Sequence, residues 1–168
     1  LFRFSEECEL SDSSIFLAKI DFRKRQHIFQ NIPNLYFAGN CIDPHFNTSS
    51  PNYLGEWGKS HLYENLTKYA NLVLLSDGEA HPLVCMEAMA SGLGLVISEY
   101  AAYNLDKNLP FIDVISESDI HNIDYVSSVI EKNRKISTTM RNDIRKYAHD
   151  NFDWEKIVTD MYIPEINK

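Results

Sequence analysis

The sequence has only three cysteines, and none of them belongs to a C-x-x-C pair. Cys8, Cys41 and Cys85 are widely spaced and odd in number, which argues against a disulfide framework or a zinc site and predicts a reducing compartment. No apolar run reaches the ~18 residues that a membrane span needs, and no signal-peptide pattern opens the chain. We therefore expect a cytoplasmic protein, and association with the periphery of a membrane stays open.

Positive charge is also scarce. The 168 residues include 16 Lys and Arg against 24 Asp and Glu, which gives a net charge of −8 at pH 7. This charge argues against broad binding to nucleic acid, because such binding needs a cationic surface for the phosphates. A few lysines focused in a cleft would still allow an anionic small-molecule ligand.

The length is sufficient for one domain with a substantial core. The chain begins with Leu1-Phe2-Arg3 rather than methionine, so we expect a further segment or domain before it.

Short apolar runs alternate with helical patterns along the chain. The predicted strands are residues 14–20, 35–38, 71–76, 95–98 and 111–115, with 53–54 as a further short candidate. The predicted helices are residues 23–31, 59–70, 82–92 and from 124 to the end, with a turn at 152–154. Segment 1–13 is predicted to be an acidic linker and 40–52 a surface loop. The alternation predicts an α/β fold with a parallel sheet.

Two glutamates stand eight positions apart at the head of an almost uncharged stretch. They are Glu79 and Glu87, and Glu87 is the only formally charged residue from Ala80 to Ser98. A carboxylate in the middle of an apolar helix would cost several kcal/mol if it were buried without a partner. We therefore expect Glu87 to have a dedicated hydrogen-bonding partner, either in the protein or in a ligand.

Polar residues and a glycine follow the predicted strands. Lys19 and Lys24 follow the first strand, and Gly39 follows the second. Residues 76–79 and 98–104 follow two later strands. Ligands of open parallel sheets bind beyond the carboxyl ends of the strands, where the strand order reverses. These residues are therefore candidates for one binding site.

A helix that begins near Pro82 would complete this site. Its free N–H groups and the positive end of its dipole would face the same edge of the sheet, which favours a phosphate. Two lysines would add charge-assisted hydrogen bonds of roughly 1.5–3 kcal/mol each. A buried carboxylate is satisfied when it accepts two adjacent sugar hydroxyls. The combination predicts a ligand with a sugar and a diphosphate, which is a nucleotide sugar.

An ordered series of motifs supports this interpretation. The segment from Glu79 to Val96 is E-A-H-P-L-V-C-M-E-A-M-A-S-G-L-G-L-V. It resembles the core signature of glycosyltransferase family 4, which has the form E-G-F-G-L-V-x-L-E-A-M-A-x-G-x-P-V-V. Three other segments are similar to family elements in the same order: Phe16–Ile20 with Lys24, Tyr36–Gly39, and Ala148–Trp154. The resemblance implies the Rossmann-like, three-layer, C-terminal half of a GT-B glycosyltransferase.

The resemblance also implies roles for individual residues. Lys19 and Lys24 would bind the diphosphate and stabilise its charge as the glycosidic bond breaks. Glu79 would hold hydroxyls of the transferred sugar, and Glu87 would hold the ribose hydroxyls of the nucleotide. Family members retain the anomeric configuration and need no metal or other cofactor, and the sequence has no D-x-D motif.

The remaining binding residues implied by the resemblance lie in two turns. They are Gly39, after the second strand, and His81, Leu83 and Val84, at the start of the helix that carries Glu87. The backbone amides around Leu83 and Val84 would assist in binding the diphosphate.

The chain departs from the family pattern at three places. Lys19 replaces an arginine, so the charge remains but the bidentate fork is lost. Ala80-His81-Pro82 replaces Gly-Phe-Gly, and Pro82 has no amide hydrogen to donate. Ala101-Ala102 replaces a Gly-Gly turn. We expect these changes to affect the sugar contacts more than the nucleotide contacts.

Each candidate residue has a structural alternative. Glu87 would then be a satisfied structural carboxylate, and Glu79 a solvated loop acid. Lys19 and Lys24 would be surface lysines at a basic helix start. The alternatives for the aromatic and imidazole side chains are an ordinary loop histidine at His81 and a packing role, rather than a contact with a nucleobase, for Trp57.

The resemblance implies a division of the chain and a set of partners. Residues 1–13 would be a linker from a missing N-terminal Rossmann-like domain, and residues 14–168 a nucleotide-sugar-binding domain with C-terminal helices. The partners would be a nucleotide-sugar donor and a carbohydrate, lipid or protein acceptor. A non-catalytic nucleotide-sugar-binding or assembly module is the main alternative. An epimerase with a related fold is the third, although its expected catalytic residues are not identifiable.

Overall fold

Runs of apolar residues form the strands of a central sheet. The structure, a computed structural model, describes residues 2–79 and 82–153. The strands are β1 (Leu10–Leu17), β2 (Leu35–Ala38), β3 (Tyr69–Leu74), β4 (Gly94–Ser98) and β5 (Ile112–Ile115). Every residue of β3 and β4 is buried. Because successive side chains of a strand point to opposite faces, this burial means that both faces of the sheet are covered.

All neighbouring strands of the sheet run parallel, in the order β2-β1-β3-β4-β5. The predicted α/β fold with a parallel sheet is confirmed. The chain builds outward from β1 to β2 and then returns to place β3 on the other side of β1. This reversal leaves a crevice between the carboxyl ends of β1 and β3, which is where open parallel sheets bind their ligands.

Five α-helices accompany the sheet in the described part of the chain. They are α1 (Gln26–Phe29), α2 (Lys59–Asn65), α3 (Leu83–Ala90), α4 (Ile123–Thr139) and α5 (Arg141–Phe152). Short 3-10 turns cover Phe22–Lys24, Leu66–Lys68 and Glu99–Ala101. Helix α4 packs against β1, β3 and β4, and α3 packs against α5. No helix of residues 2–79 and 82–153 is long and apolar enough to cross a membrane.

The first predicted helix is wrong as a continuous element. Residues 23–31 contain the end of a 3-10 turn and the four-residue α1, and Arg25 separates them with a φ of 61°. This left-handed conformation lets the Arg25 amide donate to the Phe22 carbonyl, which closes the turn. The helix therefore starts anew after Arg25.

The C-terminal helical region has one more break than the sequence predicts. The additional break falls at Met140, between α4 and α5. Helix α5 ends at Phe152, where the predicted turn begins, and the continuation from residue 154 lies outside the described residues. The break at Met140 allows the buried Arg141 side chain to donate to the carbonyl oxygens of Thr67 and Tyr69. These bonds tie the start of α5 to the start of β3.

Strand boundaries differ most near the N-terminus. β1 begins at Leu10, inside the segment predicted as a linker, and ends at Leu17 rather than Ile20. Tyr53 forms only an isolated bridge to Phe37. The residues before β1 contact the domain, because the Arg3 amide donates to the Tyr63 carbonyl over 2.9 Å. That this segment joins a further domain stays a prediction.

Candidate functional site

A basic turn lies at the carboxyl end of β1. Asp21 caps the turn, since its carboxylate accepts a hydrogen bond of 3.1 Å from the Lys24 amide. The turn then ends at Arg25, in the left-handed conformation. The three consecutive basic residues 23–25 are therefore held by a defined backbone rather than by a regular helix.

Lys24 and Glu79 meet in the crevice between β1 and β3. The Lys24 ammonium group donates to the Glu79 carboxylate, and the two side chains are 21% and 16% exposed. The cation predicted to bind a diphosphate and the acid predicted to bind a sugar are therefore in contact with each other. Neither is a freely solvated surface charge, so the structural alternatives for Glu79 as a loop acid and Lys24 as a surface lysine are not supported.

A second connection fixes the loops on either side of this ion pair. The Asp77 amide donates to the Arg23 carbonyl over 2.9 Å. The Arg23 guanidinium and the Asp77 carboxylate are 3.2 Å apart on the exposed side of the same contact. The loop after β3 is therefore attached to the turn after β1, and this attachment brings Glu79 to Lys24.

The start of α3 lies beside the Lys24–Glu79 pair. Cys85, in the first turn of this helix, is fully buried. Burial raises the pKa of its thiol, the Glu79 charge raises it further and the Lys24 charge lowers it, so both groups are near. The amides of Leu83 and Val84 have no acceptor among the described residues, and Pro82 provides no side-chain cap. The first N–H groups of α3 are therefore available near the crevice.

Lys19 and Gly39 lie in a neighbouring cleft at the ends of β1 and β2. The cleft has a volume of about 440 Å³, and its lining residues end or follow the two strands or come from the loop beyond β2: Leu17, Ala18, Lys19, Ala38, Gly39, Asn40, Glu56 and Trp57. The Lys19 side chain is exposed, whereas its carbonyl accepts a 3.0 Å hydrogen bond from the buried Gln26 amide. Among the described residues, the lining of the cleft thus contributes one cation, Lys19, and one aromatic side chain, Trp57.

Gly39 is required for the shape of this cleft. Its φ is 149°, and a Cβ at this position would lie 1.9 Å from the Ala18 carbonyl oxygen. Its amide donates to the Gly55 carbonyl over 2.9 Å, and its carbonyl accepts from the Tyr53 hydroxyl over 3.0 Å. Only glycine allows β2 to end this close to β1.

Glu87 lies in a different concavity, between α3 and α5. This concavity of about 340 Å³ is lined by residues of the two helices together with Phe2, among them Met86, Arg145, His149 and Phe152. Glu87 is half-buried, and burial raises the pKa of its carboxyl group. The carboxylate makes no hydrogen bond or ion pair with residues 2–79 and 82–153, so the expected protein partner is not found in the described part of the chain.

The structure thus divides the predicted site residues into three groups. Lys24 and Glu79 are in contact, and Lys19 shares a cleft with Gly39. Leu83 begins α3, next to Val84 and one turn before Glu87. His81 lies outside the described residues, so its role stays a prediction.

Two buried oxygens at this edge of the sheet were missed by the sequence interpretation. Gln26 Oε1 and Ser76 Oγ are the only buried side-chain polar atoms without a partner in the described residues. Buried polar atoms are nearly always paired, with protein, water or ligand. Gln26 follows β1 and Ser76 follows β3, the two strands that flank the crevice. No sequence signal distinguishes these two residues from ordinary polar residues.

An ion pair between Arg25 and Glu117 was also missed. The guanidinium donates to both carboxylate oxygens, over 3.0 and 2.8 Å. Glu117 lies just after β5, at the same edge of the sheet. A single acid after a strand gives no indication of its partner 92 residues away.

Comparison with solved structures identifies the fold. HepE from Anabaena, in complex with UDP and glucose, has a TM-score of 0.67 and 16% identity over 95% of this chain and 49% of its own. Sucrose-phosphate synthase from Thermosynechococcus elongatus has a TM-score of 0.68 and 18% identity over 94% of this chain and 46% of its own. The chain has the fold of the C-terminal domain of GT-B glycosyltransferases.

A third similar structure is WaaG, a glycosyltransferase involved in lipopolysaccharide biosynthesis. Its TM-score is 0.64 and its identity 18%, over 89% of this chain and 46% of its own. The chain spans about half or less of the length of these three proteins. No protein-family model and no curated protein matches the sequence. The predicted GT-B fold is therefore confirmed, whereas membership of family 4 stays a prediction.

Proposed function

We propose that this chain is the donor-binding domain of a glycosyltransferase. It binds a nucleotide-diphosphate sugar, and the sugar is transferred to a carbohydrate, lipid or protein acceptor held by another domain. The observation that carries this proposal is the contact between Lys24 and Glu79 at the point where the strand order reverses. A cation for a diphosphate and a carboxylate for sugar hydroxyls are adjacent there, as the junction between the two parts of a nucleotide sugar requires.

The diphosphate is bound by Lys24 and by the first N–H groups of α3. Lys24 supplies a point charge, and the amides of Leu83 and Val84 supply directed donors at the positive end of the helix dipole. Lys19 extends the positive charge into the next cleft. As the glycosidic bond breaks, negative charge grows on the departing diphosphate, and these donors stabilise it.

Donor binding exchanges the partners of the Lys24–Glu79 pair. In the free chain each charge satisfies the other, so neither is buried alone. The diphosphate competes for the ammonium group, and the sugar hydroxyls replace it as donors to the Glu79 carboxylate.

The concavity that holds Glu87 and the cleft beside Gly39 are separate, so we assign only the ribose of the donor, and we assign it to Glu87. A half-buried carboxylate without a partner in the described residues is suited to accept the two ribose hydroxyls. Trp57 lines the cleft, although its ring also packs against His61, with centroids 4.8 Å apart, and against Tyr69. The Trp57 contacts favour the packing role for this side chain over a direct role in base recognition.

The catalytic type is proposed from the resemblance to glycosyltransferase family 4, and the cellular location from the cysteine pattern of the sequence. We propose retention of the anomeric configuration, no metal requirement and a cytoplasmic location, with attachment to the periphery of a membrane as an option for a lipid acceptor. Three free cysteines are compatible with a reducing compartment.

A non-catalytic nucleotide-sugar-binding module is the second candidate. Pro82 favours it, because this residue caps α3 without an N–H group to offer a ligand. The two candidates differ in turnover but share donor binding. Sugar transfer or donor hydrolysis by the intact parent protein would eliminate the module, and tight donor binding without either reaction would favour it.

Titration calorimetry tests donor binding. UDP is the first probe, because HepE was solved with UDP and glucose; GDP and the glucose and mannose esters of both complete the set. We expect one of these ligands to bind, and Lys24→Met to weaken it. Lys135→Met is the matched control, because Lys135 forms an exposed ion pair with Glu131 on α4. Absence of binding to every probe, or equal affinity in the Lys24→Met variant, would overturn the proposal.

A further inference from the structure

Each member of the basic triplet Arg23-Lys24-Arg25 pairs with a different acid. Arg23 pairs with Asp77 and Lys24 with Glu79, both in the loop after β3, whereas Arg25 pairs with Glu117, after β5. The three pairs differ in burial. Arg23 is 71% exposed, whereas Arg25 and Glu117 are only 15% and 23% exposed.

The Arg25–Glu117 pair has the geometry of a rigid connection. Both terminal nitrogens of the guanidinium donate to the carboxylate, which fixes the orientation of the fork as well as its distance. β1 and β5 are three strand positions apart in the sheet. With strands about 4.8 Å apart, the connection reaches across about 14 Å, over the ends of β3 and β4.

The backbone at Arg25 has a left-handed conformation. A φ of 61° is comfortable for glycine and unfavourable for a residue with a Cβ. This residue lies between Lys24 and the first turn of α1. Its φ therefore sets the orientation of the turn that carries Lys24 relative to α1.

We propose that Arg25 and Glu117 are positioning residues for Lys24. The bidentate pair anchors the strained residue to the far side of the sheet edge, and the anchored turn directs the Lys24 ammonium group into the crevice beside Glu79. Neither Arg25 nor Glu117 contacts the donor. This inference rests on the proposed function, because it concerns the affinity of the crevice for a nucleoside diphosphate.

The variant Glu117→Gln distinguishes a positioning role of Glu117 from a purely electrostatic effect of its negative charge on UDP binding. Removal of a negative charge near an anion site should strengthen the binding of UDP if only long-range electrostatics matters. If Glu117 positions Lys24, the same change should weaken UDP binding, by about tenfold. Asp119→Asn is the matched control, since Asp119 is an exposed acid two residues further along the same loop.

Arg25→Gly tests the other partner in a way that suits the backbone conformation. Glycine accepts the φ of 61°, so the variant loses the guanidinium but relieves the backbone. We expect UDP binding to be about tenfold weaker in this variant, at a temperature where thermal denaturation shows that it is folded. Lys24→Met should then cause a smaller additional loss in the Arg25→Gly background than in wild type, because the residues act through one contact.

Calorimetry measures the UDP affinity of wild type and these variants, and thermal denaturation shows whether each variant is folded. Together they test the positioning role of Arg25 and Glu117. Weaker binding in both Glu117→Gln and Arg25→Gly, with normal binding in Asp119→Asn, supports the positioning role. Unchanged or tighter binding in either variant overturns it, and Arg25→Gly decides alone if Glu117→Gln does not fold. If wild type binds no nucleoside diphosphate, the proposed function itself fails. If wild type binds UDP and Lys24→Met does not, while Glu117→Gln and Arg25→Gly bind normally, only the positioning role fails.

Discussion

The ammonium group of Lys24 and the carboxylate of Glu79 form a largely buried ion pair where the loops after β1 and β3 meet. The pair joins two residues 55 positions apart, and both face the crevice formed by the reversal of strand order. Its members have opposite effects on an anionic ligand. They can therefore be distinguished by substitution.

Lys24→Met and Glu79→Gln should change UDP affinity in opposite directions. Loss of the Lys24 charge removes a charge-assisted hydrogen bond of roughly 1.5–3 kcal/mol, so UDP should bind at least about tenfold more weakly. Glu79→Gln releases Lys24 from its partner and removes a nearby negative charge, so UDP should bind as well as before or better. Calorimetry on both variants measures the two effects.

The sugar provides the second half of this test. In wild type, UDP-glucose should gain affinity over UDP through the Glu79 carboxylate, and Glu79→Gln should reduce that gain. A Glu79→Gln variant that weakens UDP and UDP-glucose equally would contradict the assignment of Glu79 to the sugar.

Glu87→Gln should stabilise the protein near neutral pH. Burial raises the pKa of Glu87, so the folded state binds a proton more readily than the unfolded state and loses stability as the pH rises between their two pKa values. The neutral glutamine avoids this loss. Because the carboxylate is only half-buried, the gain should stay below about 1 kcal/mol, or about 3 °C in Tm.

Thermal denaturation at several pH values checks this expectation. The difference between Glu87→Gln and wild type should vanish below about pH 4, where the carboxyl group is protonated in both states. A variant that is less stable than wild type at neutral pH would indicate a structural partner for Glu87, as the structural alternative requires.

Glu87→Ala should remove discrimination between ribose and deoxyribose. If the carboxylate accepts the ribose hydroxyls, wild type should bind UDP more tightly than its 2′-deoxy analogue, since one hydrogen bond to a charged group is lost. The variant should bind both ligands with similar, lower affinity. Equal affinity of wild type for the two nucleotides would count against a contact with the 2′-hydroxyl.

Gly39→Ala should destabilise the fold by more than about 2 kcal/mol. The added methyl group would meet the Ala18 carbonyl oxygen at 1.9 Å, and the φ of 149° is unfavourable for alanine. Gly58→Ala is the control, because no atom lies within 4 Å of its Cβ position and its φ of −72° suits alanine. Denaturant unfolding of the two variants compares them directly. Equal stability would show that the close approach of β2 to β1 is not required.

The sequence predicted the elements whose pattern is local. β2 has the predicted bounds, because four consecutive apolar residues between Asn34 and Gly39 suffice to define it. The sequence also predicted that Lys24 and the residues after β3 lie at one edge of the sheet, because the carboxyl ends of parallel strands meet there.

Features that depend on distant contacts could not be predicted in this way. Arg25 takes a left-handed conformation in a segment with helical propensity, and its side chain is held by Glu117, 92 residues away. The break at Met140 likewise depends on the bonds of Arg141 to Thr67 and Tyr69. No local pattern contains these partners.

The most direct test of donor binding in the crevice is a two-dimensional NMR titration of the backbone amides with UDP. Binding at the proposed site predicts the largest shift changes in the loops after β1, β2 and β3 and in the first turn of α3. Residues around Arg134, where α4 contacts Ser14 and Asn34, should be unaffected. Shifts confined to that region, or none at saturating UDP, would contradict the proposal that Lys24 and Glu79 receive the donor.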